Sequence, residues 1–157
     1  MLRLLTDAEV ISKYGDPASH IDEDGDVKPS WRASILETFP LSKPLVLAWG
    51  GQATKVSCHK LVLEDAKHIF DALARIPEAW KSINDYGGCY NFRRNARDRS
   101  KLSRHAWGIA FDLDVRDSVS GGRIHPLVIQ AFYDRGFYWG GFFTTPDEMH
   151  FEKAINL

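Results

Sequence analysis

Two histidines and an aspartate carry the most chemistry in this sequence. His105 and Asp112 lie together in Ser103-Arg104-His105-Ala106-Trp107-Gly108-Ile109-Ala110-Phe111-Asp112, and His150 lies in Asp147-Glu148-Met149-His150-Phe151-Glu152. Zinc takes neutral imidazole and carboxylate oxygen, and a catalytic site keeps a further position open for water. Gly108 lets the backbone turn between His105 and Asp112, and the small Ala110 leaves room beside Asp112. Asp114 stands two residues on and is an alternative ligand. A site of this kind also needs a base to take a proton from water, whose pKa a bound zinc lowers to about 7. Asp147 and Glu148 are the candidates. Strand periodicity alone favours Glu148, which shares the face of His150 if the strand starts early.

The elements that must hold these residues are legible in part. Ile109, Phe111, Leu113 and Val115 alternate with Ala110, Asp112 and Asp114, which predicts a half-buried strand with its acids on the open face. A last strand is expected from about Met149 to Ala154, with Met149 and Phe151 towards the core and His150 and Glu152 away from it. Thr6 caps a helix running to Tyr14, with Gly15 as its stop. Ala66, Ile69, Phe70, Leu73 and Ile76 recur at helical spacing, predicting a helix from Leu63 to Ala79. Pro126 to Arg135 reads as another helix, closed by Gly136. Leu45 to Trp49 reads as a short strand closed by Gly50-Gly51, and Tyr86 to Phe92 as a turn feeding a strand. Helices and strands mix without regular alternation, so the fold class is α+β: one domain, a small central antiparallel sheet flanked by helices.

The spacing Ser103-x-His105-x-x-Gly108-x-Ala110-x-Asp112, followed by Asp147-x-x-His150-Phe151-Glu152, resembles the zinc D-alanyl-D-alanine carboxypeptidase family. That family includes phage L-alanyl-D-glutamate endolysins and shares its fold with the Hedgehog signalling domain. Tyr86-Gly87-Gly88-Cys89-Tyr90-Asn91-Phe92-Arg93 and Gly136-Phe137-Tyr138-Trp139-Gly140-Gly141 are similar to flanking blocks of its endolysin-like branch. The resemblance runs from about Val56 to Glu152. Residues 1–55 carry no recognised motif, so the chain reads as one catalytic domain over 1–157 with a zinc peptidase core at 56–152.

The resemblance implies that His105, Asp112 and His150 bind one zinc ion. It implies Asp147 as the base, three positions before the last histidine, where many relatives carry Glu. It implies that an upstream arginine binds substrate and stabilises the oxyanion; Arg93 matches best and Arg94 adjoins it. The implied reaction is hydrolysis of a peptidoglycan stem-peptide bond. The endolysin-like blocks favour the L-Ala–D-Glu bond. The alternatives are release of a terminal D-Ala, or a catalytically silent zinc-bearing wall-binding module.

The bulk properties agree with such an enzyme. At 157 residues, 44% hydrophobic and 26% charged, the chain fits one domain with a substantial core. A net charge of -1 gives no overall case for nucleic acid. The basic run Arg93, Arg94, Arg97, Arg99, Lys101 and Arg104 is interrupted by Asp98 and reads as a loop beside an anionic peptide. Asp22, Asp24 and Asp26 lack the remaining ligands of a calcium loop. Cys58 and Cys89 read as free thiols, and Cys58-His59 as structural. Trp107 and Trp139 read as core at least as readily as sugar-stacking surfaces. Ser103 reads as a residue that bonds local backbone, and Glu152 as either an acceptor for a ligand histidine or a surface residue. No run approaches a membrane span, and a monomer is expected. The N-terminus reaches Asp7 too early for a secretory signal. Synthesis in the cytoplasm is therefore expected, with the wall reached after release.

Overall fold

The strand that carries Asp112 lies beside the strand that carries His150. In this computed structural model, which describes residues 1–116 and 124–157, Ala110–Leu113 forms β5 and His150–Asn156 forms β7. They run antiparallel with Asp112 opposite His150, Phe111 opposite Phe151 and Ala110 opposite Glu152. Opposed residues on an antiparallel pair point to the same face with Cβ atoms roughly 5 Å apart. One face thus receives Asp112, His150 and Glu152, and the other receives the phenylalanines.

Three shorter strands complete this sheet. β1 (Leu2–Leu4) and β6 (Phe137–Trp139) both pair with β7, and β4 (Tyr86–Gly88) pairs with β5. All the pairings are antiparallel. The apolar face packs on α3 (Leu63–Ala74) and α5 (Pro126–Asp134). Phe70, Phe111, Phe132, Phe137 and Phe151 meet there, all fully buried, with Phe132 stacked on Phe151 at 4.2 Å. Such ring pairs add about 0.5–1.5 kcal/mol each beyond their burial. The result is a compact α+β domain.

The N-terminal residues are part of this body. Thr6 caps α1 (Asp7–Tyr14) through a reciprocal capping box with Glu9, and Gly15 ends it at φ 91°. Leu5, Val10 and Tyr14 enter the main core. α2 (Pro29–Ile35) adds Trp31 and Ile35 to a small second cluster with Val27. Between them, the Asp22 carboxylate accepts the Asp24 and Asp26 amides, so its oxygen closes the acidic loop on itself.

Several expected boundaries are corrected. The strand expected from Leu45 to Trp49 is the end of a longer β2 (Leu36–Val46), hairpinned to β3 (Gln52–His59), and Trp49 lies outside it, 70% exposed. Pro40 and Pro44 hid this strand. They are tolerated because β2 has one partner and its register shifts between Pro40 and Leu45. The helix expected to run to Ala79 stops at Ala74. Pro77 opens a separate α4 (Pro77–Ser82), because proline fits a first helical turn and not an interior. At Tyr86–Phe92 the order is reversed: strand first, loop after. β5 is buried on both faces, so its acids do not lie on an open side. It ends at Leu113, where Asp114 adopts φ 56° and leaves the register of Asp112.

Candidate metal centre and cleft

His105 reaches the site from a different kind of element. Arg104–Trp107 is a single 3₁₀ turn, capped by the Ser103 hydroxyl, which accepts the His105 amide at 3.4 Å. The turn ends at Gly108 in the left-handed region, φ 69° and ψ 33°. A Cβ there would lie 2.9 Å from Leu36 Cδ2 and 3.0 Å from the His59 amide nitrogen. Glycine therefore meets two demands at one position: the conformation and the close approach. The turn is what brings His105 over the face of β5 that presents Asp112.

The three side chains converge. His105 Nε2 lies 3.1 Å from Asp112 Oδ1 and 3.3 Å from His150 Nδ1, and His150 Nδ1 lies 3.1 Å from Asp112 Oδ1. A tetrahedral zinc with arms of about 2.0–2.1 Å requires donors about 3.3 Å apart. All three residues are buried. They form a group of His, Asp and His able to hold a metal ion.

The remaining nitrogen of each ring is already committed. His105 Nδ1–H donates to the Cys89 carbonyl at 2.6 Å, and His150 Nε2–H donates to Glu152 Oε2 at 3.0 Å. A carbonyl or carboxylate only accepts, so each ring turns a lone pair towards Asp112. Two imidazole lone pairs and a carboxylate facing one another out of water need a cation between them. The donor set and its outer anchors fit zinc.

In the metal-free protein a proton takes that role. Burial works to raise the Asp112 carboxyl, but the hydrogen bonds and charges of the two imidazoles outweigh it and hold it well below the usual carboxylate range. Burial likewise works to lower His150, yet its bonds to Asp112 and Glu152 lift it to about 9.

Beside His150 lies a cavity of about 80 Å³ lined by Arg93, Arg97, Ser103, Phe143, Asp147 and His150, among others. Asp147 and Arg93 therefore share one space with a triad histidine. Glu148 and Arg94 are not among its lining residues: the Glu148 carbonyl accepts the Trp139 indole N–H at 2.7 Å, and Arg94 reaches the Ser100 carbonyl. Asp147 is held by its backbone, its amide donating to the Gly140 carbonyl at 2.9 Å. A Cβ on Gly140 would strike the Asp147 carbonyl, so only glycine permits that approach.

Asn95, Arg97, Arg104, Phe143 and Glu152 also line a wider cleft of about 700 Å³. One part of its lining is charged and mixed in sign, with Arg97, Lys101 and Arg104 beside Asp7, Asp98 and Glu152. Another is aromatic, with Tyr138, Phe143 and Phe142, the last 64% exposed. Arg97 was legible only as part of a basic run. Here it donates to the Thr145 and Pro146 carbonyls at 2.6 and 3.1 Å and stands 4.0 Å from Asp147 Oδ2. It fastens the loop that carries Asp147.

Other candidates sit elsewhere. Asp114 turns to the Asn84 and Asp85 amides and away from the triad. Trp107 is buried and donates to the Gly15 carbonyl. His59 is buried too, its ring accepting the Leu61 amide. His20 stacks on Trp31, His68 bonds its own helix and His125 caps α5. Cys58 and Cys89 are buried free thiols, and burial pushes the Cys58 thiol up to about 12.

Residues 96–153 match the family model of the D-alanyl-D-alanine carboxypeptidases. Comparison with curated proteins and with solved structures brings no further match. The matched stretch contains His105, Asp112, Asp147 and His150 together. Over the segment that builds its buried triad, the chain is similar to the D-alanyl-D-alanine carboxypeptidase family.

Proposed function

We propose that this protein is a zinc peptidase that hydrolyses the L-Ala–D-Glu bond of the peptidoglycan stem peptide. The observation that carries the reading is the spacing of His105 Nε2, Asp112 Oδ1 and His150 Nδ1 at 3.1–3.3 Å, each imidazole tethered through its other nitrogen. His105, Asp112 and His150 would hold the ion. When bound, zinc polarises a carbonyl and lowers the pKa of water.

The chain's own groups account for the rest of the chemistry. Asp147, in the cavity beside His150, takes a proton from the attacking water and returns it to the leaving amine. Arg93, lining the same cavity, places a guanidinium where negative charge develops on the carbonyl oxygen. Arg97 keeps the Asp147 loop in place and adds positive charge to the cleft. The aromatic wall of the cleft suits the apolar faces of a stem peptide. No covalent intermediate is required.

Release of a terminal D-Ala is the second reading, favoured by the description of the matching family. Digestion of purified peptidoglycan separates the two. New D-Glu amino termini are the expected product, and free D-Ala without them would assign the carboxypeptidase reaction instead. Lysis should stop on chelation and return with zinc. Persistence of lysis in a protein shown by elemental analysis to be metal-free would overturn the zinc reading.

A further inference from the structure

The family match begins at residue 96, yet a continuous set of contacts runs from the N-terminal residues into the triad. Arg104 is the link. Its Nη1 donates to Asp7 Oδ1 at 2.8 Å and its Nη2 to the Leu5 carbonyl at 2.9 Å. Its Nε stands 3.7 Å from Glu152 Oε1. The other oxygen of Glu152 accepts His150 Nε2–H at 3.0 Å, which leaves His150 Nδ1 facing Asp112 and His105. The guanidinium is largely buried, its side chain 14% exposed, and Glu152 is 11% exposed, so this pairing is poorly screened by water. Arg104 also lies over the Trp107 ring at 5.9 Å, which limits its swing.

The same N-terminal stretch supports the strand beneath. β1 pairs with β7, Leu4 opposite Ala154 and Leu2 opposite Asn156. Leu4 and Asp7 also line the wide cleft with Arg104 and Glu152. Residues 2–7 thus brace β7 along its edge and brace Arg104 at its head.

Resting on the metal reading proposed above, we infer that Arg104 is a positioning residue for the triad. Held by Leu5 and Asp7, it orients Glu152, and through Glu152 it fixes which nitrogen His150 offers and where that nitrogen aims. Asp7 belongs to the same device at one remove. Arginine suits the task because its planar fork serves Asp7, Leu5 and Glu152 at once, whereas lysine offers a single point of charge.

The test is zinc affinity, measured by chelator competition, together with the visible spectrum of the cobalt(II)-loaded protein. Arg104→Ala should weaken zinc binding about 10- to 100-fold, in the range found when outer partners of ligand histidines are lost, and should alter the cobalt spectrum. Arg104→Lys should recover part of the affinity. Asp7→Ala, at a more exposed position, should show the same spectral change with a smaller loss, and it keeps the question open to measurement if Arg104→Ala does not fold. Glu152→Gln combined with Arg104→Ala should be no worse than Glu152→Gln alone, because both act through one carboxylate. Native affinity in Arg104→Ala, or fully additive losses in the double variant, overturns the inference while leaving the metal reading intact. A native protein that binds neither zinc nor cobalt overturns both.

Discussion

At the scale of single residues, the site is set by which nitrogen of each histidine is free. Cys89 occupies one side of His105 and Glu152 one side of His150, so the ring lone pairs meet Asp112. His105→Ala or His150→Ala should therefore abolish zinc retention in dialysis as well as turnover, since a two-ligand remnant holds the ion poorly. Asp147→Asn should behave differently. It should lower kcat by about 10²- to 10⁴-fold, the usual worth of a general acid–base, with zinc content unchanged by elemental analysis. Equal loss in Glu148→Gln would move the role to that neighbour. Protonation gives a third expectation. In the metal-free protein His150 sits at about 9, above its ordinary value near 6.5. Its contribution to stability is then complete below about pH 6.5 and fades as pH rises through 9. Urea titration of the metal-free protein should show weakening between pH 6.5 and 9. Zinc affinity should rise over the same interval, because binding must expel that proton.

At the scale of elements, the turn at Arg104–Trp107 and the β5–β7 register do most to build the centre. Gly108→Ala must place a side chain at φ 69° against Leu36 and the His59 backbone. The conformation alone costs about 1–2 kcal/mol, and the crowding adds to it. A loss of about 2–4 kcal/mol in denaturant stability is expected, with zinc affinity reduced as His105 shifts. Much of this was readable in advance. His105, Gly108 and Asp112 advertise a turn entering a strand, and alternation in β7 places His150 and Glu152 together. Thr6, Gly15, Pro126 and Gly136 mark helix ends through local chemistry that needs no tertiary context. What was hidden depended on partners. Pro40 and Pro44 disguise β2, whose tolerance for them comes from having one neighbour strand. Burial of the second face of β5 depends on chain far away in sequence. Arg97 looked like one more exposed cation because the Thr145 and Pro146 carbonyls that capture it lie 48 and 49 residues on.

At the scale of the whole molecule, one sheet divides a phenylalanine core from a polar chemical face. No helix among the described residues is long and apolar enough to cross a membrane. Because the triad joins the 3₁₀ turn to β5 and β7, bound zinc should act as a cross-brace for the entire body. At a zinc concentration about 1,000-fold above the dissociation constant, mass action adds about 4 kcal/mol, so chelation should lower the melting temperature by several degrees. Calorimetry with and without zinc measures it. A Phe132→Ala variant, which strips the ring stacked on Phe151, should lose about 3–5 kcal/mol while its zinc stoichiometry holds at one, separating the two faces of the sheet.

The outermost pairing has a practical corollary. The Leu157 amide donates to the Met1 carbonyl at 2.9 Å, beside the β1–β7 ladder. A short linker can therefore join those two points, and the chain can be opened at Gly50-Gly51, where the hairpin tip is exposed and remote from His105 and His150 in sequence. Such a rearranged chain should keep the His105–Asp112–His150 triad, whereas bulky fusions attached ahead of Leu4 should crowd the cleft that Leu4 lines.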